Sequence, residues 1–334
     1  QRLISMTSIM QHRTVLLPNG NKMNLSASIG ISWYPQDSIY FDFLKKYADF
    51  AMYQVKKSTK GNLAEFDKAL YEDEKHDRQM HLEFYQLIEK EQLTYHFQPI
   101  LSAKNGEIIA YEALMRSQLA TLKNPEMILR IAREENKLED VERICIFKST
   151  ETFDQLRKNK LVKEDALLFI NSIASVSLND EDRERFHRYF SHIQSQIVVE
   201  VTEEENMSEE ALIRKRETKG FSGMFALDDY GSGYNTEINL LNLSPKYIKI
   251  DLTIVRNIDK DFDKQQLVSN IVEYAHQREG YIIAEGIETK EELLKVLELG
   301  VDYLQGYYLS YPQLNPQEVS NESIKTIENY WKKR

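Results

Sequence analysis

Eight short apolar segments recur between residues 93 and 311, and nearly every one ends in a carboxylate, an amide or a lysine. Helical patterns separate most of these segments from one another. Strands that alternate with helices predict a mostly parallel sheet, and eight of them predict closure into a (β/α)8 TIM-like barrel of the α/β class. The predicted strands span residues 93–98, 107–115, 167–171, 196–201, 223–228, 247–251, 281–285 and 303–309.

Polar side chains collect at the ends of these predicted strands. In a barrel of this kind the carboxyl ends of successive strands converge on one mouth, where active sites are built. Any one such residue alone is more often a solvated loop residue, but a set in phase along the chain predicts a shared site. The set comprises Gln98, Glu112, Asn171, Glu200, Asp228, Asp229, Lys249, Glu285 and Gln305.

Most members of this set offer oxygen atoms of the kind that Mg²⁺ and Mn²⁺ prefer as ligands. Asp228 and Asp229 stand side by side before a glycine-rich turn, an arrangement suited to bridging two metal ions. Two such ions typically clamp a phosphoryl group and activate water. Lys249 then stabilises charge or holds the attacking water, unless it is a rim lysine paired with Asp251.

Composition excludes several classes of function. The chain has 334 residues and a net charge of -10, which argues against a DNA or RNA polymer as partner. A single cysteine, Cys145, rules out an internal disulfide or a cysteine-rich zinc site and favours the cytoplasm. No apolar run reaches the roughly 18 residues that span a bilayer. The chain starts at Gln1 without a signal-peptide pattern, so an upstream sensor or membrane anchor in a longer protein stays open.

The pattern divides the chain into four regions. Residues 1–68 read as a small α+β unit, in which an alternating strand pattern precedes an amphipathic helix. The charged stretch 69–92 carries one apolar stripe and predicts a linker helix. Residues 93–320 hold the barrel, and residues 321–334 predict a closing helix or a tail.

Six motifs follow one another along the barrel region. They are Tyr111-Glu-Ala-Leu-Met-Arg116, Glu200-Val-Thr-Glu203, Ala226-Leu-Asp-Asp-Tyr-Gly-Ser-Gly-Tyr234, Tyr247-Ile-Lys-Ile-Asp251, Ala284-Glu-Gly-Ile-Glu-Thr289 and Gln305-Gly-Tyr-Tyr. Together they resemble the motifs of bacterial EAL-domain cyclic di-GMP phosphodiesterases over about residues 80–320. The resemblance implies hydrolysis of cyclic di-GMP to linear pGpG, on a barrel whose first strand runs antiparallel to the others.

The resemblance also implies roles for individual residues. One metal ion, Mg²⁺ or Mn²⁺, is expected on Glu112, Asn171, Glu200 and Asp228, and a second on Asp228, Asp229 and Glu285. Lys249 and Glu285 are expected to position or deprotonate the nucleophilic water, with Gln305 in support. Gln98 and Arg116 are expected to contact the substrate. Glu203 is expected to brace the loop at 229–234, which in the family links the metals to a homodimer interface on the barrel.

The sequence departs from the family pattern after Arg116, where the usual tryptophan and the following His-Pro segment are replaced by residues 117–124. Asn235 also stands where the family commonly has serine. These departures affect the rim of the substrate pocket and the loop, and they leave the predicted metal ligands intact.

The first unit resembles the C-terminal half of a GGDEF domain through Ser28-Ile-Gly-Ile-Ser32 and Ala48-Asp-Phe-Ala-Met-Tyr53. The cyclase signature is absent from this chain, so no cyclase activity is expected of it. Two other functions stay open for the barrel. One is a receptor or partner-binding module that senses cyclic di-GMP without turnover, and the other is hydrolysis of a different cyclic dinucleotide.

Overall fold

The computed structural model describes residues 14–24, 26–58, 61–202, 224–231, 240–241, 243–316 and 319–334. The chain forms two compact units, one up to Leu82 and the other from Glu83 to Arg334. Within the described ranges, no helix combines the length and the apolar character needed to cross a membrane.

The first unit joins two small sheets to one long helix. Strands β1 (Thr14–Leu16) and β2 (Lys22–Asn24) form an antiparallel pair. Strands β3 (Ile29–Ile31) and β4 (Leu63–Glu65) run parallel, and helix α1 (Phe41–Ser58) connects them. Apolar residues recur on one face of α1 and rest against the sheet, where Ala51 and Val55 are buried.

The second unit contains a closed barrel of eight strands, so the predicted barrel is confirmed. The first barrel strand runs antiparallel to both of its neighbours, and the remaining pairs are parallel. The strands are β5 (Leu93–Ser102), β6 (Ile108–Ser117), β7 (Leu167–Asn171), β8 (Ile197–Thr202), β9 (Met224–Tyr230), β10 (Tyr247–Ile250), β11 (Tyr281–Ala284) and β12 (Tyr303–Leu304).

Helices surround the barrel and fill its outer core. Helix α2 (Lys68–Lys90) begins before the boundary between the units and ends after it. The others are α3 (Pro125–Glu134), α4 (Leu138–Lys158), α5 (Asp180–Phe190), α6 (Leu252–Val255), α7 (Phe262–His276), α8 (Lys290–Glu298) and α9 (Asn321–Lys332), with a 3-10 turn at Gln194–Gln196.

The sequence specifies where several of these helices begin. Asn124 caps α3 by accepting a hydrogen bond from the Glu126 backbone N–H at 3.0 Å, and a proline follows at the first helical position. Thr289 and Glu292 form a reciprocal capping box at the start of α8. Because these caps fix the ends of helices, they also fix the short segments that lead from the strands into them.

An apolar layer fills the barrel interior toward the amino ends of the parallel strands. Tyr247, Tyr281 and Tyr303 stand at the first positions of β10, β11 and β12, and their rings lie 5.4–6.3 Å apart. Phe169 contacts the Tyr247 ring edge-on at 5.1 Å. The buried members of this layer are Ile100, Ala110, Phe169, Val198, Ala226, Tyr247 and Ile283.

Candidate active site

The predicted site residues lie in the layer next to the apolar layer, on the side of the barrel mouth. This placement follows from the alternation of side chains along each strand. Side chains two residues apart in a strand share a face. Glu200 thus lies above Val198, and Lys249 lies above Tyr247. The antiparallel strand β5 reverses the order, so Gln98 precedes Ile100. The same step places Glu112, Asn171, Asp228 and Glu285 at the mouth.

Lys249 stands at the centre of this mouth and is 1% exposed. Its Nζ lies 2.5 Å from Glu200 Oε1, 2.7 Å from Glu285 Oε1, 2.9 Å from Asp228 Oδ1 and 3.3 Å from Glu112 Oε2. Asp251, the alternative partner considered from the sequence, instead caps α6 by accepting a bond from the Thr253 N–H at 2.8 Å. The reading of Lys249 as a rim lysine paired with Asp251 is therefore wrong.

Amide side chains hold Glu112 from two sides. Gln305 Nε2 donates to Glu112 Oε2 at 2.6 Å, and Asn171 Nδ2 donates to Glu112 Oε1 at 3.2 Å. Gln305 Nε2 also lies 3.3 Å from Gln98 Oε1, and Gln98 Nε2 donates to the Ser310 carbonyl at 3.2 Å. The structure thus joins three predicted strand-end amides and one carboxylate in a single network.

Two groups of carboxylates have the spacing of metal ligands. Glu112, Glu200 and Asp228 each offer an oxygen within 4.8 Å of the others, and so do Asp228, Asp229 and Glu285. Asp228 belongs to both groups, as the sequence predicts for a bridging ligand. When all five carboxylates are ionised, they leave four negative charges beside the Lys249 ammonium, a charge that two divalent cations would balance.

Asp229 reaches the mouth through an irregularity in β9. Adjacent residues of a regular strand face opposite sides of the sheet. Asp229 has φ of 57°, and the pairing register of β9 with β10 shifts between Leu227 and Tyr230. This left-handed residue in a shifted register allows two consecutive aspartates to approach the same site.

Burial raises the pKa of four carboxylates of the mouth, namely Glu200, Asp228, Asp229 and Glu285. Burial, and then the neighbouring Glu112 charge, raise the pKa of Glu200 well above its usual range. Burial likewise raises the pKa of Glu285 well above its usual value, with Lys249 acting in the opposite direction. Burial and the adjacent Asp228 raise the pKa of Asp229 to about 6.

Glu112 and Glu200 both contact Lys249 but shift in opposite directions. Burial raises the pKa of Glu112, but Lys249 and the Gln305 and Asn171 amides outweigh burial and lower it. Among the described residues no donor forms a hydrogen bond with the buried Oε2 of Glu200. An oxygen that is buried without a donor is the kind that a cation satisfies.

Arg116 lies apart from the carboxylate groups, near the end of β6. Its Nη1 donates to the Met115 carbonyl at 2.8 Å, and its backbone pairs with Thr94 of β5. Glu203 and Asn235 lie outside the described residues, and so do residues 232–234 of the 229–234 loop.

The sequence reading missed how closely two of the mouth loops approach each other. Gly306, directly after Gln305, has φ of 155°, and a Cβ there would lie 2.2 Å from the Ile287 backbone nitrogen. Ile287 N–H donates to the Gln305 carbonyl at 3.1 Å. The glycine after Gln305 in the motif is the only sequence signal for this approach. It places the backbones that follow Glu285 and Gln305 side by side.

The EAL-domain family model matches residues 81–312, and the chain belongs to the EAL-domain family. It is 28% identical over 305 residues to the bifunctional diguanylate cyclase/cyclic di-GMP phosphodiesterase MucR of Pseudomonas aeruginosa. That alignment covers 87% of this chain and 43% of MucR, so the chain spans less than half the length of this relative.

Solved structures share the barrel. The PaMucR phosphodiesterase in complex with c-di-GMP superposes with a TM-score of 0.61 at 26% identity, covering 70% of this chain and 97% of that one. BlrP1 of Klebsiella pneumoniae, in a complex with calcium and cyclic di-GMP, gives a TM-score of 0.56 at 25% identity and covers 68% and 58% of the two chains.

Proposed function

We propose that the barrel is a metal-dependent phosphodiesterase that hydrolyses one phosphodiester bond of cyclic di-GMP to give linear pGpG. The observation that carries this proposal is the pair of carboxylate groups sharing Asp228 at the mouth of an EAL barrel. MucR is named as a bifunctional diguanylate cyclase/cyclic di-GMP phosphodiesterase, and the PaMucR structure is a complex with c-di-GMP. These two relatives support the choice of substrate.

The donor set fits two divalent cations, Mg²⁺ or Mn²⁺. In the described part of the chain, both groups of potential metal ligands at the mouth consist of carboxylate oxygens, and hard cations take such ligands. The first ion is assigned to Glu112, Asn171, Glu200 and Asp228, and the second to Asp228, Asp229 and Glu285. When bound, the two ions stabilise charge on the phosphodiester and lower the pKa of water.

Lys249 serves as a fixed cation in this proposal. Burial opposes its charge, but Asp228, Glu112, Glu200 and Glu285 together raise its pKa well above the usual range. In the metal-free site these carboxylates favour the protonated form of Nζ. It donates hydrogen bonds that orient water or stabilise a phosphoryl oxygen, with Glu285 as the nearby acceptor at 2.7 Å.

Polar residues around the cations are assigned to the substrate. Gln98 and Gln305 form a buried amide pair that reaches the Ser310 loop and offers hydrogen bonds to a nucleotide. Arg116 presents a planar guanidinium, which matches a phosphate. Glu203 is assigned to bracing the 229–234 loop, as in the family.

The decisive experiment incubates the purified chain with cyclic di-GMP and Mg²⁺ or Mn²⁺ and separates the products by chromatography. Glu112→Ala is expected to abolish pGpG formation. Glu107→Ala is the matched control, because Glu107 is an exposed carboxylate at the opposite end of the β5–β6 hairpin. Wild-type protein that binds the metal and the nucleotide without forming product belongs to the receptor class. Cleavage of only another cyclic dinucleotide would keep the chemistry and change the substrate.

The wider assignment follows from the same family resemblance. We place the protein in cytoplasmic second-messenger signalling, as a homodimer joined through the barrel. Residues 1–68 are assigned to a partial GGDEF-like unit without cyclase activity, 69–92 to a linker, 93–320 to the EAL barrel and 321–334 to a terminal helix. Light scattering on the purified chain tests the dimer, and a monomer at every protein concentration would contradict it.

A further inference from the structure

A buried carboxylate outside the mouth contacts the loop that follows β7. Glu142 lies on α4 and is 2% exposed. Its Oε2 accepts a hydrogen bond from the Ile173 backbone N–H at 2.9 Å, and its Oε1 accepts one from the Ser172 hydroxyl. Both donors follow Asn171 directly in the chain.

The two partners of this contact differ in secondary structure. Glu142 belongs to a helix of 21 residues that packs against β5 and β7. Ser172 and Ile173 belong to no helix or strand. A charged acceptor in a buried site gives strong hydrogen bonds, and it is costly to bury without them. Glu142 therefore fixes the position of the loop relative to the helix.

Ser172 connects Glu142 with Asn171 and Glu200, two of the residues assigned to the first cation. It is the chain neighbour of Asn171, and its backbone N–H donates to the Glu200 carbonyl at 3.0 Å. Asn171 in turn donates to Glu112 Oε1 at 3.2 Å. A short path of contacts thus runs from Glu142 through Ser172 to Asn171, Glu200 and Glu112.

We infer that Glu142 is a positioning residue for the first cation site, which holds the Asn171–Ile173 segment so that Asn171 and Glu200 face the cation together. The inference rests on the proposed function for the identity of the ligands. Groups that orient metal ligands without touching the metal typically change metal affinity about 10–100-fold when they are replaced.

The same helix supplies a matched control. Asp154 is also a carboxylate, is 5% exposed, and lies 12 residues further along α4, which is about 18 Å in a helix. It pairs with Lys158 at 2.7 Å and His192 at 3.0 Å, and neither partner belongs to the mouth. Replacing Asp154 therefore tests the effect of losing a buried carboxylate from α4 without disturbing the β7 loop.

The experiment titrates the full chain with Mn²⁺, follows free ion by electron paramagnetic resonance without substrate, and measures the melting temperature of each variant. Glu142→Gln keeps the side-chain size but replaces one acceptor oxygen with a donor. We expect it to weaken Mn²⁺ binding about tenfold, and excess Mn²⁺ is expected to restore much of the turnover. Asp154→Asn is expected to lower the melting temperature and leave Mn²⁺ affinity unchanged.

Equal Mn²⁺ affinity in wild type and Glu142→Gln would overturn the inference, as would equal weakening by Asp154→Asn. If Glu142→Gln does not fold, Ser172→Ala removes only the hydroxyl donor, and unchanged Mn²⁺ affinity in that variant is then the contradicting result. If the wild type binds Mn²⁺ but leaves cyclic di-GMP intact, only the proposed function is refuted. The titration still measures how Glu142 affects Mn²⁺ affinity. A wild type that binds no Mn²⁺ overturns both.

Discussion

The two ends of the barrel interior are built from the same strands and have opposite physical character. At the mouth, one lysine contacts four carboxylates. Two residues away along β7 and β10, the Phe169 and Tyr247 rings contact each other in an apolar layer. Because a strand alternates its faces, a step of two residues changes the layer and keeps the side chain inside the barrel. The residues that stabilise the barrel and the candidate site residues are therefore only two positions apart along a strand.

The energetics of the two layers also differ. Burying a large apolar side chain stabilises a fold by about 1.5–3 kcal/mol. Buried charges carry a desolvation cost that is offset only when each is well paired, and at the mouth the carboxylates outnumber the ammonium. The apolar layer therefore stabilises the fold, whereas the metal-free mouth is expected to destabilise it.

The largest expected effect follows from replacing the carboxylate that both groups share. Asp228→Asn is expected to lower kcat by at least about 10³-fold, because it weakens both cation sites at once. Without metal, the same variant is expected to melt at a higher temperature than wild type, since it removes one of the repelling charges. Enzyme kinetics and thermal melts in a chelating buffer measure the two effects.

Asp302→Asn is the control for that substitution, because Asp302 lies at the amino end of β12, where it accepts a bond from Ile282 N–H at 2.8 Å. It is expected to lower stability and preserve turnover per folded molecule. An Asp228→Asn enzyme with wild-type turnover would show that Asp228 is not a shared ligand.

The second expected effect comes from the apolar layer. Phe169 is fully buried against Tyr247, and Phe169→Ala is expected to lower the free energy of unfolding by about 3–5 kcal/mol. Mn²⁺ affinity is expected to stay near the wild-type value, although Asn171 is only two residues away. Chemical denaturation and metal titration measure the two quantities, with Phe169→Leu as the milder variant. A large loss of Mn²⁺ affinity in both variants would show that the two layers are coupled.

The sequence predicts the polar residues of the mouth well because the pattern that identifies them is local. Alternation and strand-end polarity depend on neighbouring residues, so they predict that Glu112, Asn171, Glu200 and Glu285 converge, as the structure has them. Local patterns also predicted β7 with the observed bounds, Leu167–Asn171.

Features that depend on distant contacts were predicted poorly. The last strand was expected at 303–309 but ends at Leu304, because Gly306 turns the chain against the Ile287 backbone. Strand β5 continues to Ser102 instead of ending at residue 98, since its pairing with β6 extends the hairpin. The left-handed Asp229 and the role of Asp251 as a helix cap also depend on neighbours that no local pattern encodes.

A change of pH is expected to separate two effects on the stability of the fold: the destabilisation caused by the carboxylates of the mouth and the stabilisation caused by bound cations. The pKa of Asp229 is raised to about 6, and those of Glu200 and Glu285 are raised well above their usual values. Groups whose pKa is raised by folding contribute stability at low pH, and this contribution is lost as pH rises through the folded-state pKa. The metal-free contribution of the mouth is therefore expected to fall as pH rises from about 4 through about 6, and to fall further as pH rises through the raised pKa values of Glu200 and Glu285.

Cations reverse this trend because they bind the deprotonated ligands. The increase in melting temperature caused by Mg²⁺ is expected to grow between about pH 5 and about pH 8, and saturating metal at 100 times its dissociation constant adds about 2.7 kcal/mol. Differential scanning calorimetry at the two pH values measures this growth, and Asp228→Asn is expected to reduce it. An Mg²⁺ effect of equal size at both pH values would contradict the proton competition.

The smallest expected effect concerns charge at the same end of the barrel but outside its interior. Arg256 Nη2 lies 3.0 Å from Glu288 Oε1, with side chains 52% and 46% exposed. Water screens such a pair, so Arg256→Ala is expected to change the free energy of unfolding by less than about 1 kcal/mol and to leave Mn²⁺ affinity unchanged. Denaturation with Arg256→Lys as control measures this difference. If Arg256→Ala lowered the free energy of unfolding as much as Phe169→Ala does, the contribution of a charge to stability would depend on its position near the mouth and not on its burial in the barrel interior.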